Sequence, residues 1–446
     1  MASVSSSPDR WRGRPSAPSP SRVPPEAPRS ADLPARTQRV LLGLCVALAV
    51  STPLCLYLGV RGFAPVAGIV GLLCLPLARP TREDVSGILI LAALVIWAAI
   101  SIAWSPASNL RVFNSAKAFS HFTIGHMALL LVLCPALITG LRRLDERSAR
   151  KALSWIAYGV LAATPVVVGE GLTGIKLYPL LLALTHQQVR LDRLIADLAQ
   201  GGYVVAVVAW PLGVALMRQG RPRLALVLMA FAPLSMLVLR GVAPTLALGV
   251  GLGSFLLVLR LGPRGAGVLA LLTAAYLLAV PGVMLAVDHL QLYAQFKTAL
   301  PPSWSDRLRI WSFVAEQLAG TFPRGAGLDA SRTFPGLIPL HPHSAPLQVW
   351  YELGLPGAML EICFWLWLWR RISDCARRDR LYGATAAATA MAYLSINAVS
   401  FGQWQAWWLA VGGLATALCV LLGKTLVPTE GAEGSPLRTR SGGSRR

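Results

Sequence analysis

Residues 224–259 read "LALVLMAFAPLSMLVLRGVAPTLALGVGLGSFLLVL", thirty-six positions in which Arg240 is the single charge. As one helix this run would be about 54 Å long at 1.5 Å per residue, far beyond a hydrocarbon layer about 30 Å thick. Gly241 and Pro244 punctuate it, and both residue types favour turns. The run therefore reads as two membrane spans joined by a tight turn at "RGVAP". That turn sets Arg240 at a membrane rim. At mid-bilayer an arginine costs roughly 2.5–3.5 kcal/mol on insertion scales.

The pattern extends outward in both directions. The 446-residue chain is 55% hydrophobic and 14% charged, where soluble proteins carry about 25% charge. Charge is confined to short runs between apolar blocks of about 20 residues, the length a spanning helix needs. About twelve spans are expected on that criterion, near 40–60, 62–78, 86–104, 119–140, 152–170, 201–217, 222–239, 241–260, 265–286, 347–369, 383–400 and 404–423. The fold class is all-α: a polytopic membrane protein with a long helical loop between helices 9 and 10. Residues 1–39 and 424–446 are Pro-, Ser- and Arg-rich tails that cannot bury a core. Between them, 40–286 carries spans 1–9, 287–346 the loop, and 347–423 spans 10–12. The two halves do not mirror each other, which weighs against a transporter built from repeats. The seven cysteines show no C-x-x-C spacing and read as small core residues, without a disulfide framework or zinc site.

The formal charge of +21 does not call for nucleic acid, because no basic, aromatic-interleaved soluble domain carries it. It reports arginine-rich loops. With the N-terminus inside, inner segments such as "RRLDERSARK" and "RRISDCARRDR" hold about 29 of the 41 Lys and Arg, as the positive-inside rule requires. Both termini are then cytoplasmic, and the long outer segments run from about Glu170 to Gln200 and from about Asp288 to Ala345. A loop as long as the second is seldom structureless. Within it, "SWSDRLRIWSFVAEQLAG" reads as an amphipathic helix with Leu308, Trp311, Ala315 and Leu318 on one face, capped by Ser303 or Ser305.

Candidate chemistry gathers on that outer side: Arg240, Arg307 with Arg309, the pair His341 and His343, and Glu352. The H-P-H sequence admits three readings. It is a metal site with partners among Asp288, Asp306, Glu316 and Asp329, a polar cap on the following helix, or a general base with a pKa suited to neutral pH. Ser344 would serve more cheaply as the cap. Arg240 alone reads as a side chain snorkelling to lipid phosphate. Arginines and a histidine together at one membrane surface suit a lipid-anchored phosphate or diphosphate, which Arg binds bidentately. Gly354 and Gly357 form a G-x-x-G that suits close helix packing.

These segments resemble the O-antigen ligase and polymerase superfamily of bacterial polysaccharide assembly. Its hallmark has the form H-N-x-x-L-Q, a short gap, then E-x-G-x-x-G. "HSAPLQVWYELGLPG" matches with His343, Leu347, Gln348, Glu352, Gly354 and Gly357, and Ser344 stands where Asn is usual. A second block, S-x-R-x-x-x-W followed by P-x-x-G-x-G, is matched by Ser305, Arg307, Trp311, Pro323, Gly325 and Gly327. A third, S-R-G, is met only by "LRG" at 239–241. The motifs cover about residues 235–365.

The resemblance, ligase branch foremost, implies a glycosyltransferase of the bacterial inner membrane that works at the periplasmic face without a metal or other cofactor. Its donor would be a glycan on undecaprenyl diphosphate and its acceptor a sugar hydroxyl of lipid A–core. By the same resemblance His343 is the catalytic residue, and Arg240 and Arg307 bind the donor diphosphate. Gln348 and Glu352 of the matched motif are secondary candidates that would support the site, as are Arg309 and His341, which have no counterpart in the family pattern. A polymerase of the same superfamily shares these motifs. A lipid-linked glycan transporter is the alternative from another class, with Glu170 and Glu361 as the acids near span ends.

Overall fold

A computed structural model describes residues 33–109, 119–184, 194–239, 241–290, 302–338 and 340–426. Arg240, residues 1–32 and residues 427–446 lie outside the described residues; residues 35–39 and 424–426, read from the sequence as tail, are instead helical and belong to the first and last spans. The unit from Pro34 onward is a helical bundle, and no strand occurs among the described residues. Its helices are α1 (Ala35–Leu58), α2 (Phe63–Cys74), α3 (Arg82–Ser101), α4 (Phe119–Leu141), α5 (Glu146–Thr173), α6 (Leu177–Leu184), α7 (Leu194–Arg218), α8 (Pro222–Leu239), α9 (Val242–Leu261), α10 (Pro263–His289), α11 (Pro302–Thr321), α12 (Ala345–Arg378), α13 (Arg380–Val399) and α14 (Ala406–Leu426).

Ten of the described helical segments are long and apolar enough to cross a membrane. The two expected spans outside that set fall in α12 and α13. Both pack among the others, α13 against α9 and α7, and α12 against α10 and α3. Their lower apolarity has a physical reason. α13 presents a buried Ala- and Thr-rich face, including Ala384, Thr385, Ala387, Ala388 and Thr389, and a helix surrounded by protein does not need a lipid-facing surface. The surface of the bundle is oily instead. Leu226, Leu237 and Leu271 are each at least 70% exposed, a condition that suits lipid and not water. The protein is a multi-pass membrane protein. Prolines sit inside several helices, such as Pro135 in α4 and Pro211 in α7, as membrane spans tolerate. All seven cysteines are unpaired, and four of them are buried.

Helix ends follow their sequences. Thr81 and Asp84 form a reciprocal capping box on α3, and Asp145 caps α5 through the amide of Ser148. Gly174, with φ 80°, ends α5. Glu170, one of the two acids weighed for a transport pathway, accepts the amides of Leu177 and Tyr178 at 3.0 and 2.7 Å. It therefore caps α6.

The long segment between α10 and α12 carries helix α11, followed by a turn-rich stretch with one 3-10 turn at Ala330–Thr333. α11 buries Ile310, Trp311 and Val314 against Val280 of α10 and against Ile338, Leu347 and Tyr351. That seats it on one end of the bundle. Pro302 is its first described residue, so Ser303 and Ser305 lie within the helix and are not its caps. Proline suits a first helical position, because its missing N–H has no partner there in any case.

Candidate functional site

The two motif blocks of the sequence interlock through the backbone. α12 breaks at Gly354, which has φ 62° and ψ −158°. Into that break runs the loop after α11. The amide of Ala326 donates to Tyr351 O, that of Gly327 to Glu352 O, and that of Leu355 to Pro323 O, each at 2.8 Å. Trp97 and Trp104 of the α3 end donate their indole N–H to Leu353 O and Gly325 O at 2.8 and 3.0 Å. A Cβ at Gly325 would collide with the backbone of Glu352 and Gly354, and one at Gly354 with Pro323 and Arg324. Gly354 is thus a glycine for a positive φ and for loop approach. It does not serve close packing between helices, as the G-x-x-G spacing suggested.

Beneath the break lies Glu352, fully buried. Its Oε1 accepts from Ser331 Oγ at 2.6 Å, Gln348 Nε2 at 3.0 Å and the Ser331 amide at 3.4 Å. Its Oε2 accepts from Trp404 Nε1 at 2.6 Å and the Asp329 amide at 2.9 Å. Gln348 in turn accepts the Gln403 amide on its own oxygen at 2.9 Å, which fixes its NH₂ toward Glu352. One carboxylate therefore joins α12, the 329–331 turn and the 400–405 loop. Its partners are almost all obligate donors, so an acceptor-only group is what the pocket requires.

The histidines lie just above this hub, where the chain enters α12. Trp311 of α11 donates to the Pro342 carbonyl between them at 2.8 Å, fixing the loop to the amphipathic helix. His343 sits at φ 57°, a left-handed conformation that few non-glycine residues adopt. Its Nδ1 is 3.0 Å from the Ser400 carbonyl. A carbonyl only accepts, so Nδ1 carries the proton of the neutral ring and Nε2 keeps its lone pair. Burial pushes the His343 imidazole below the ordinary histidine range, the Ser400 carbonyl draws it partly back, and the Arg307 charge lowers it further. The ring is neutral at neutral pH.

His341 has a different setting. It is 4% exposed, and its Nδ1 accepts the His343 amide at 3.1 Å. Its proton is therefore on Nε2, which lies 2.7 Å from Gln405 Nε2; exchanging that carboxamide's nitrogen and oxygen presents Oε1, otherwise buried without a partner among the described residues, as the acceptor. The two rings pack with centroids 4.4 Å apart. Burial, His343, Arg332 and Arg307 together press the His341 imidazole well below its usual range. With both nitrogens engaged, His341 braces the loop and has no lone pair left for a metal. Neither imidazole, nor the Ser344 side chain, caps α12.

The other candidates separate. Arg307 lies over the Trp304 ring at 5.4 Å and is close enough to bear on both histidines. Arg309, two residues on and so about 200° around the helix, is 54% exposed and faces Asp306 at 3.8 Å. Arg240 lies outside the described residues. Its described neighbour Gly241 packs toward Ala199 of α7, the helix whose Tyr203 ring packs on Phe401. Of the carboxylates weighed as metal partners, Asp329 is held by Thr123 and Arg332 at 2.7 and 2.8 Å, and Asp306 faces Arg309.

Three contributors have no counterpart among the sequence candidates. Arg332 pairs with buried Asp329 beside His341. Ser400 gives only its backbone carbonyl, and Gln405 braces His341. The polar side chains of "GQWQ" at 402–405, in the turn between α13 and α14, were the available signal. In that turn Ser400 Oγ and Gln403 Oε1 are buried without a hydrogen-bond partner among the described residues. Gln403 and Trp404 also line one end of an apolar cavity of about 380 Å³. The cavity continues past Leu94, Met127 and Glu361 to Arg142 at the other end of the bundle. Glu361, the second acid weighed for transport, thus borders this cavity.

No family model matches the chain. It is similar to a protein of Rickettsia conorii named "Putative polysaccharide ligase", 26% identical over 241 residues that cover 51% of this chain and 58% of the relative. A Rickettsia felis protein of that name is 25% identical with the same coverage. A third, from Rickettsia typhi, is 29% identical over 28% of this chain and 34% of the relative. The chain spans little more than half the length of the first two relatives it matches. These likenesses agree with the resemblance carried by the motifs and fall on its ligase side.

Proposed function

We propose that this chain is a polysaccharide ligase of the O-antigen ligase type. It moves a glycan from undecaprenyl diphosphate to a sugar hydroxyl of lipid A–core at the periplasmic face of the bacterial inner membrane. The observation that carries the reading is His343. Its Nδ1–H is committed to the Ser400 carbonyl, its Nε2 makes no hydrogen bond among the described residues, and the Arg307 charge stands beside it. A neutral imidazole in that tautomer is a general base.

The step balances without a redox partner. The acceptor hydroxyl oxygen bonds to the anomeric carbon of the donor sugar as its proton passes to His343 Nε2. The bond from that carbon to the diphosphate oxygen breaks, and its electron pair leaves with the diphosphate. Arg307, joined by Arg240, stabilises the charge that grows there. Direct displacement inverts the anomeric carbon. The arginines supply the charge a metal would otherwise bring, so transfer proceeds in chelator. Two further features support a lipid-linked sugar as substrate. The apolar cavity opens beside the site, and Ser400 Oγ and Gln403 Oε1 have unused hydrogen-bonding capacity there. Glu170, occupied as a cap, weakens the transporter reading.

Reconstitution with an undecaprenyl-diphosphate glycan, lipid A–core and a chelator tests the proposal. Glycan appearing on lipid A–core is the expected result. Growth of repeat units on the carrier alone would make the chain a polymerase instead. Movement of the donor across the bilayer without bond formation would make it a transporter.

A further inference from the structure

The other end of the bundle carries a second pocket. α12 starts next to His343 and breaks at Gly354; beyond the break its apolar stretch runs about 22 Å to Trp369. Arg370, Arg371, Arg377 and Arg378 follow, an arginine cluster of the kind that marks a membrane rim, here the one away from His343. There a pocket of about 390 Å³ lies between α12 and the first turns of α10. Arg370, Ser373, Asp374 and Arg377 fall at i, i+3, i+4 and i+7 on α12 and form one wall. Ala266, Gly267 and Ala270 form the other, and their small side chains leave the space open. Trp369, held by its indole N–H to Thr273 Oγ1 at 3.0 Å, also lines it.

We propose that this pocket binds the phosphate headgroup of an anionic glycerophospholipid. The charge is suitable: Asp374 pairs with Arg377 at 2.5 Å, and Arg370 makes no ion pair among the described residues. Arg264 on α10 adds a further cation at the same end of that helix. Basic pockets between spanning helices on the arginine-rich side are suited to anionic headgroups. The surroundings select a lipid over a free phosphate. Leu366, one turn before Arg370 and part of the pocket lining, is 42% exposed, and Leu271, next to Ala270, is 70% exposed. Both lie on the membrane side of the arginines, where acyl chains attached to a bound phosphate would run.

The test is native mass spectrometry of the detergent-purified full chain with dioleoyl-phosphatidylglycerol, dioleoyl-phosphatidylethanolamine or inorganic phosphate. The chain should retain phosphatidylglycerol in preference to phosphatidylethanolamine. R370Q/R377Q should weaken retention about tenfold or more, since each substitution removes the charge-assisted hydrogen bonds an arginine makes to a phosphate. R218Q/R223Q, on the same membrane face at α7 and α8, should leave it unchanged. A Cβ at Gly267 meets nothing within 4 Å, so Gly267→Leu should fold, fill the pocket and lower retention with every arginine in place. Equal retention of both lipids, full competition by millimolar phosphate, or parental retention by both R370Q/R377Q and Gly267→Leu would overturn the proposal.

Discussion

Glu352→Gln removes a charge and changes almost nothing in shape, so its cost measures how far the fold around the histidines depends on this carboxylate. An NH₂ in place of Oε2 would face the Trp404 indole N–H and the Asp329 amide, neither of which can accept. Each buried donor left without an acceptor costs about 1–3 kcal/mol, so this placement loses about 2–6 kcal/mol. An NH₂ in place of Oε1 would face Gln348 Nε2 and the Ser331 amide. Only the Ser331 hydroxyl can turn to accept there, and Gln348 cannot flip without losing the Gln403 amide. The total is no smaller. Domains are stable by about 5–15 kcal/mol, so a loss of this size is readily measured. Reversible unfolding in mixed micelles should show Glu352→Gln destabilised by at least about 2 kcal/mol. Glu316→Gln, exposed on α11, should stay within about 0.5 kcal/mol of the parent. A Glu352→Gln midpoint indistinguishable from that of Glu316→Gln would refute the hub.

Other outcomes follow from the same geometry. Because the base must be neutral and burial and Arg307 lower its pKa, the acid limb of the pH–rate profile should lie below the ordinary histidine value of about 6.5. Arg307→Gln removes a lowering charge, so in that variant the limb should move toward higher pH. Arg307→Ala and Arg240→Ala should each impair donor use, while Arg309→Ala, exposed and facing Asp306, should leave it within about twofold; an effect on acceptor affinity alone would contradict the diphosphate role. Gly354→Ala places a Cβ at φ 62° against Pro323 and Arg324. Strain of about 1–3 kcal/mol for a backbone conformation that essentially only glycine adopts, with the collision added, should lower its thermal midpoint well below that of Gly249→Ala, where a Cβ meets nothing within 4 Å.

Much of the architecture was legible because its signals are periodic. The apolar blocks mark the spans, and the three- and four-residue spacing of Trp311, Ala315 and Leu318 marks α11. α13 was legible as a helix, but its small, buried Ala and Thr face leaves it short of the apolarity of a lipid-facing span. The division between Arg307 and Arg309 follows from helix geometry, since residues two apart point to different sides. The role of Gly354 was not legible, because spacing cannot say whether a loop or a helix approaches a glycine. Least legible was the contribution of Ser400, which orients His343 through a backbone carbonyl that any residue possesses. Arg332 and Gln405 reach the histidines only through tertiary packing.

The central claim is that His343 takes the proton of the acceptor hydroxyl. Its most direct measurement is the single-turnover transfer rate of His343→Ala against the parent, in vesicles loaded with undecaprenyl-diphosphate glycan and lipid A–core. The account predicts a rate about 10²–10⁴-fold lower, with donor binding retained and the protein still folded. Transfer at a near-parental rate would contradict it.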